Sequence, residues 1–387
     1  MEENKLVTVA IHTYEKAEIL KTILESEGIE VFLTNINQLQ PMVSAGVRVR
    51  ISEKDLPKAL NIIENMHWNE QLEEDAQTPE TDYDKEEDEK DNNFVLIPID
   101  FSDYTLRICK IGINYAARRG LNVVLIHAYY TPFIPSPMMI EDITAVQLST
   151  ELNLKEEMKQ VMSDMEKLKR DLNDLMAQGT IPQVNFKTLL RDGTPEDVIL
   201  GYAKRHRPVV IVMGTRGKGK KDSDLIGSVA AEVIDSSKVP VLVVPEGTPF
   251  DDLAKVKEVA VATSMKQNDL LLFESFIKLL GHHNPKFHIF NISLGEGKEW
   301  NQIQLEAIKD YHLRHYPTRE IEVNQLEQGD FGEALEKFIN REHIDLIVVN
   351  TYERGFFAKL FNPSMARRML YHSGTPMLVM RNKPDNK

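Results

Sequence analysis

Short runs of apolar residues alternate with amphipathic segments over most of this chain. After residue 93 the apolar runs are nearly uninterrupted, as in strands covered on both faces. The segments between them place apolar residues three and four positions apart, as in helices. Strands are predicted at residues 94–99, 122–127, 183–190, 209–213 and 239–244. Helices are predicted at residues 104–119, 152–176, 194–205 and 228–236. The alternation predicts a parallel sheet with helices on both faces.

The first 66 residues follow a shorter pattern. Three strands are predicted at residues 6–11, 30–34 and 47–51, with helices at 15–27 and 56–66. This order predicts a small α+β domain over residues 1–66, in which helices cover one face of a sheet. The domain carries no recognisable catalytic or ligand-binding motif.

Residues 67–93 separate this domain from the rest of the chain and are strongly acidic. They hold twelve Asp and Glu side chains against two lysines, and they account for most of the formal net charge of −14. Few apolar residues combined with self-repelling charge are typical of a flexible linker. Neither the linker nor the remainder has an excess of positive charge, so nucleic acid is not expected as a partner.

Residues 256–382 repeat the pattern of residues 94–246. The segment 209–215 corresponds to 345–351 at an offset of 136 residues. The same offset aligns Gly193 with Gly329, Ser228 with Ser364, and Pro240 with Pro376. We therefore predict two tandem domains of the same fold.

A glycine-rich segment, residues 214–228, follows an apolar strand and runs into a predicted helix. Gly214, Gly217 and Gly227 allow the backbone to approach a ligand closely. Gly227 and Ser228 lie where a helix N-terminus stabilises an anion. The spacing matches neither the P-loop nor the dinucleotide fingerprint. The segment is interpreted as a phosphate-binding loop, and an ordinary glycine-rich loop is the alternative.

The second copy has lost these features. Asn350 corresponds to Gly214, Glu353 to Gly217 and Pro363 to Gly227. Side chains therefore replace open backbone, a carboxylate would repel phosphate, and proline lacks an N–H donor. The acid that ends the first strand, Asp100, is replaced by Ser264. We predict nucleotide binding in the first copy only.

At these residues the chain resembles the universal stress protein family. The family signature Gly-x2-Gly-x9-Gly-(Ser/Thr) is matched by Gly214, Gly217, Gly227 and Ser228. The segments 98–102 and 193–195 strengthen the resemblance. It implies tandem Rossmann-like, adenine nucleotide α-hydrolase-like domains at 94–246 and 256–382. On the pattern at 46–51, residues 1–66 resemble a small prokaryotic signal-transducing domain with a ferredoxin-like fold.

The ATP-binding branch of that family implies a set of site residues. Adenine and ribose are expected at Pro98, Asp100 and Ala128. Gly214 and Gly217 would approach the ribose and phosphates. Gly227, Ser228 and the amide of Val229 would hold the outer phosphates. Arg216, with Lys218, Lys220 and Lys221, either adds positive charge over the phosphates or is a solvated loop residue. A divalent cation on the phosphates, Mg²⁺ or Mn²⁺, is expected from charge neutralisation.

The sequence is compatible with three functions. The first is a regulatory, ATP-binding stress or signalling protein that acts through unidentified protein partners. The second is a slow ATPase or an ATP-dependent enzyme of the related nucleotide hydrolase group. The third is a scaffold that binds no nucleotide. No general base is evident, and His127 is interpreted as a packing residue.

Assembly and location follow from further features. Family members commonly pair through the last strand of the domain. Residues 241–244 and 377–380 could therefore pair within one chain as a pseudo-dimer, and a homodimer is the alternative. The single cysteine, Cys109, excludes an intrachain disulfide. No apolar run reaches the roughly 18 residues that cross a bilayer. We expect a cytoplasmic protein with no membrane partner.

Overall fold

The computed structural model describes residues 6–12, 14–34, 47–65, 92–129, 143–215, 227–263, 267–291, 298–326, 331–350 and 374–381. In these ranges the strands form two separate sheets, one of three strands and one of ten. The predicted acidic linker lies almost entirely outside the described residues. No helix in the same ranges is long and apolar enough to cross a membrane.

The small sheet belongs to the N-terminal part of the chain. Its antiparallel strands are β1 (Leu6–His12), β2 (Val31–Thr34) and β3 (Val47–Ser52), in the order β1-β3-β2. Helices α1 (Tyr14–Ser26) and α2 (Leu56–Asn65) pack on it. Their shared core includes Leu20, Leu24, Val49 and Ile51, which are fully buried or nearly so. The strands and helices agree with the α+β pattern of residues 1–66.

The large sheet contains the remaining ten strands. They are β4 (Phe94–Pro98), β5 (Asn122–Tyr129), β6 (Phe186–Asp192), β7 (Val210–Gly214), β8 (Val241–Val244), β9 (Glu258–Thr263), β10 (Lys286–Asn291), β11 (Ile321–Gln325), β12 (Leu346–Asn350) and β13 (Met377–Met380). Buried residues on its two faces form two core clusters. Burial on both faces explains why these strands are apolar at nearly every position.

Seven helices accompany the large sheet within the described ranges. They are α3 (Thr105–Arg119), α4 (Ile143–Ala177), α5 (Pro195–His206), α6 (Ser228–Ser236), α7 (Gln267–Leu280), α8 (Lys298–His315) and α9 (Phe331–Arg341). Helix α4 begins at Ile143, well before the predicted residue 152. The apolar pattern that predicted this helix includes Leu168 and Leu172, which are buried in the core. It does not mark the start of the helix.

The large sheet is built from two halves with the same strand order. The first half is β8-β7-β4-β5-β6 and the second is β13-β12-β9-β10-β11. Strands are parallel within each half. The halves meet at β8 and β13, which pair antiparallel with Leu242 opposite Leu378. The predicted parallel α/β fold is therefore confirmed.

The junction between the halves is closely packed. Gly374 has a φ of 62°, a conformation that favours glycine, and a Cβ added there would lie 2.7 Å from the carbonyl oxygen of Gly247. Thr248 is buried, and its hydroxyl donates to the carbonyl oxygens of Pro245, at 2.8 Å, and Gly374, at 3.1 Å. Tyr115 on α3 donates its hydroxyl to the Leu279 carbonyl at 2.9 Å. These bonds fix one half against the other.

Candidate nucleotide site

The first half of the large sheet reverses its strand order between β4 and β7. Strands β5 and β6 lie on one side of β4, and β7 and β8 lie on the other. In open parallel sheets this switch point leaves a crevice at the carboxyl ends of the two strands, where ligands bind. Pro98 ends β4 and Gly214 ends β7, and the two strands pair directly through Leu96 and Ile211. The structure therefore brings two predicted site segments to one crevice.

Asp100 organises the turn that leaves β4. Its Oδ1 atom accepts hydrogen bonds from the Ser102 amide at 3.1 Å, the Ser102 hydroxyl at 2.8 Å and the Thr105 hydroxyl at 3.0 Å. Thr105 is buried and begins α3. Asp100 thus has a folding role that was not predicted, although an Asp side chain that accepts from the backbone amide two residues later is a recognisable turn feature.

His127 supports the same turn from β5. Its Nδ1 atom lies 2.7 Å from the carbonyl oxygen of Ile99. A carbonyl can only accept, so Nδ1 carries the proton. The imidazole also packs on the ring of Phe101, with 4.5 Å between centroids, and Phe101 has a positive φ of 55°. His127 therefore contacts both neighbours of Asp100, the Ile99 backbone and the Phe101 ring, consistent with its interpretation as a packing residue.

Ala128 lies level with Asp100 on the neighbouring strand. Ile126 pairs with Pro98, and Ala128 follows two residues later at the end of β5. The next residue, Tyr129, accepts a hydrogen bond from the amide of Gly193 at 2.9 Å. Three of the predicted positions, Pro98, Asp100 and Ala128, therefore share this edge of the sheet.

The glycine-rich segment is anchored at both ends. Gly214 ends β7, and the next residue, Thr215, is only 2% exposed and accepts a hydrogen bond from the Gly227 amide at 2.6 Å. This bond closes the loop between β7 and α6. Two predicted residues within it, Arg216 and Gly217, lie outside the described residues.

Helix α6 directs its N-terminus toward the end of this loop. Gly227 is the N-cap, in an extended conformation with φ −61° and ψ 149°, and no side-chain hydrogen bond caps this end within the described residues. The amides of Ser228 and Val229 are in the first turn, where N–H groups have no partner inside the helix. These amides and the helix dipole favour an anion.

Cys109 is the one sulfhydryl near this half of the core, and it offers no chemistry. It is fully buried on α3, and burial raises the pKa of its thiol to about 12. A thiol in this state is not a nucleophile at neutral pH.

Comparison with known proteins identifies the family. The family model described as universal stress protein matches residues 92–245. A universal stress protein of Methanocaldococcus jannaschii is 32% identical over 151 residues, which are 39% of this chain and 80% of the relative. The chain belongs to the universal stress protein family. A universal stress protein of Thermus aquaticus is 29% identical over 150 residues, which are 39% of this chain and 96% of that relative.

The fold of this universal stress protein also matches a solved structure. A universal stress protein from Archaeoglobus fulgidus aligns with a TM-score of 0.50 and 18% identity, over 77% of this chain and 99% of its own. This match supports the fold, and the predicted family is confirmed by the Methanocaldococcus jannaschii relative. The region matched by the family model contains all nine predicted site positions.

Proposed function

We propose that this universal stress protein binds ATP in the first half of its large sheet and acts as a regulatory protein rather than an enzyme. The observation that carries the proposal is the meeting of two features at one switch point. One is the Asp100 turn after β4, and the other is the N-terminus of α6 after the β7 loop. The first suits a nucleoside and the second suits phosphate.

The proposed placement follows the shape of this edge. Adenine and ribose lie against Pro98, Asp100 and Ala128, which share one level of β4 and β5. The phosphates lie along Gly214 and the loop that contains Arg216 and Gly217, and they reach the first-turn amides of α6 near Gly227, Ser228 and Val229. Mg²⁺ or Mn²⁺ neutralises the phosphate charge.

The second half is proposed to leave this position without nucleotide. Its sequence places Asn350, Glu353 and Pro363 where the first half has glycines, and Ser264 where it has Asp100. The proposed domains are accordingly 1–66, a linker at 67–93, a nucleotide-binding domain at 94–246 and a second domain at 256–382. Pairing of β8 with β13 supports an internal pseudo-dimer of the two.

A regulatory role is favoured by what surrounds the switch point. The proton on His127 Nδ1 is held by the Ile99 carbonyl, and the Cys109 thiol is buried. The buried Cys109 thiol is not available as a nucleophile, and His127 is engaged in supporting the Asp100 turn. We therefore infer that bound ATP sets a conformation that protein partners recognise. Slow hydrolysis, an ATP-dependent reaction, or a scaffold without nucleotide are the competing outcomes.

Titration calorimetry with Mg-ATP on the full chain tests the proposal. We expect one ATP per chain and a loss of at least tenfold in affinity in Gly227→Pro, which puts the proline of the second half at the N-cap. Gly227 already has a φ that proline adopts, so the variant removes chiefly the amide that closes the loop. The matched control, Asn350→Ala in the second half, should bind as wild type.

Three results would each contradict part of this proposal. If the chain binds no adenine nucleotide at millimolar concentration, a scaffold without nucleotide is the remaining function. Two ATP per chain would contradict binding in the first half alone. Release of ADP or pyrophosphate at several turnovers per second would indicate an enzyme, with mass spectrometry of the released product as the measurement.

A further inference from the structure

A group of polar side chains lies toward the amino-terminal ends of the strands in the second half, opposite the carboxyl edge. Glu258 begins β9, and Lys286 and His288 lie at the start of β10. Glu322 on β11 is directly beside His288 in the sheet. Glu342 follows the last residue of α9, which packs across this face through Phe338. We call His288, Glu322 and Glu342 the His288 cluster.

The corresponding positions of the first half are largely apolar. Val124 takes the place of His288, because each pairs with the middle of the first strand of its half, Leu96 and Ala260. Two residues before that point, Phe94 takes the place of Glu258. Both Phe94 and Val124 are buried. The fold therefore does not require a histidine or a carboxylate at this position, and burying them has a cost unless they are partnered.

The hydrogen bonds of His288 fix its tautomer. The side chain is only 1% exposed, and Nε2 lies 2.7 Å from Oε2 of Glu258. A carboxylate accepts, so Nε2 carries the proton. The amide of Asn324 lies 3.2 Å from Nδ1 and donates to its lone pair. A histidine whose second nitrogen donates to a carboxylate is the usual arrangement at a metal ligand.

The carboxylates of Glu322 and Glu342 lie close to the His288 imidazole. Oε2 of Glu322 lies 3.8 Å from Nδ1, and one ligand atom from each of His288, Glu322 and Glu342 lies within 4.8 Å of the others. Bonds of about 2.1 Å in a tetrahedral zinc site put ligand atoms about 3.4 Å apart. Glu322 is 47% exposed, so a small rotation can close the difference and an ion can enter from solvent.

Two neighbouring cations each pair with only one carboxylate oxygen of the His288 cluster. Lys286 pairs with Oε1 of Glu322 at 2.8 Å, and Arg341 pairs with Oε1 of Glu342 at 2.7 Å. Each carboxylate therefore has its other oxygen for an ion. Together with Glu258, the three carboxylates outnumber the two paired cations.

We propose that His288 Nδ1, Glu322 and Glu342 bind a divalent transition-metal ion of the Zn²⁺ type, with Glu258 orienting the imidazole. An imidazole nitrogen with carboxylate oxygens suits zinc better than magnesium, which prefers oxygen ligands alone. The ion would replace the Asn324 hydrogen bond at Nδ1. Three protein ligands leave a fourth position open, as in zinc sites that bind a further ligand.

Zinc titration of the full chain without nucleotide tests the site. We expect one Zn²⁺ per chain by calorimetry and by metal analysis after dialysis. Glu322→Gln and Glu342→Gln should each weaken binding at least tenfold, and His288→Val, the residue of the first half, should abolish it. Glu258→Gln should weaken binding by about 10- to 100-fold through loss of the imidazole partner.

Two controls separate this site from others. Glu320 lies 4.0 Å from the Lys286 ammonium but outside the cluster, so Glu320→Gln should bind zinc as wild type. Gly227→Pro, designed against nucleotide binding, should also bind zinc as wild type. If wild type binds no Zn²⁺, or if Glu322→Gln and Glu342→Gln bind it unchanged, the cluster is a buried ion pair and the proposal is wrong.

Discussion

Replacing Asp100 separates its role in the fold from its proposed role in ligand binding. Asp100→Ala removes the Oδ1 acceptor of three hydrogen bonds and leaves the hydroxyl of buried Thr105 without that partner. Bonds of this type contribute roughly 1 kcal/mol each, and more when the acceptor is charged. We expect Asp100→Ala to lower the free energy of unfolding by about 2–4 kcal/mol. In a domain of this size that corresponds to a fall in Tm of roughly 5–15 °C.

Asp100→Asn should behave differently. The amide keeps an Oδ1 acceptor in the same position but removes the charge, so the expected cost is about 1 kcal/mol. If the carboxylate also holds a ribose, Asp100→Asn should weaken Mg-ATP binding while its thermal unfolding stays close to wild type. Circular dichroism gives the Tm, and calorimetry gives the affinity.

Asp103, an exposed residue in the same turn, provides the matched control. Asp103→Ala should cost about 0.5 kcal/mol or less, because the side chain is at the surface. Hydrogen exchange of the peptide spanning residues 100–108 should increase in Asp100→Ala and stay unchanged in Asp103→Ala. Equal melting of Asp100→Ala and wild type would show that these bonds do not hold the turn.

Three further predictions concern single residues away from this turn. Gly374→Ala should lower the free energy of unfolding, measured by thermal denaturation, by about 2 kcal/mol or more, because the added Cβ would lie 2.7 Å from the Gly247 backbone. Gly120→Ala, also at positive φ but in open space, should cost less. Burial against Phe273 lowers the pKa of His312 from 6.5 to about 4, so the unfolded chain binds its proton first as the pH falls. The free energy of unfolding measured in urea should therefore be unaffected by this group above pH 6.5 and should fall by up to about 3 kcal/mol by pH 4. The fall should be smaller in His312→Leu. Cys109 should not react with a thiol reagent in the native protein and should give one thiol per chain after unfolding; reaction at a native rate comparable to a free thiol would contradict its burial.

The apolar runs predicted the strands well because strands covered on both faces need apolar side chains at nearly every position. The run predicted at 209–213 became β7, Val210–Gly214, with a shift of one residue. The start of α4 was missed, because the helix was predicted from residue 152 and begins at Ile143. The position of Asp100 and Gly214 at one edge also followed from sequence, since the carboxyl ends of parallel strands share an edge.

The His288 cluster could not be predicted in this way. Its members come from β10, β11 and the end of α9, and Glu258 comes from β9, so they are separated by dozens of residues. Each alone is an ordinary polar residue at the start of a strand or end of a helix. Only the register that puts Glu322 beside His288, with Ala260 on the other side, brings them together. Sheet register depends on packing that is not encoded in any local pattern.

The two halves act as controls for each other because they share one strand order. At the carboxyl edge, the first half has the Asp100 turn and the α6 N-terminus, while the sequence of the second half replaces their residues. At the amino edge, the second half buries His288 beside Glu258, while the first half has Val124 and Phe94. A polar group that one copy keeps and the other discards is not needed for the shared fold, so its retention requires either a ligand or a compensating partner. For Asp100 the partners are the hydrogen-bond donors of the turn, and the Mg-ATP affinity of Asp100→Asn tests whether a ligand also requires the carboxylate. For His288 the partner is Glu258, and zinc titration must decide the same question.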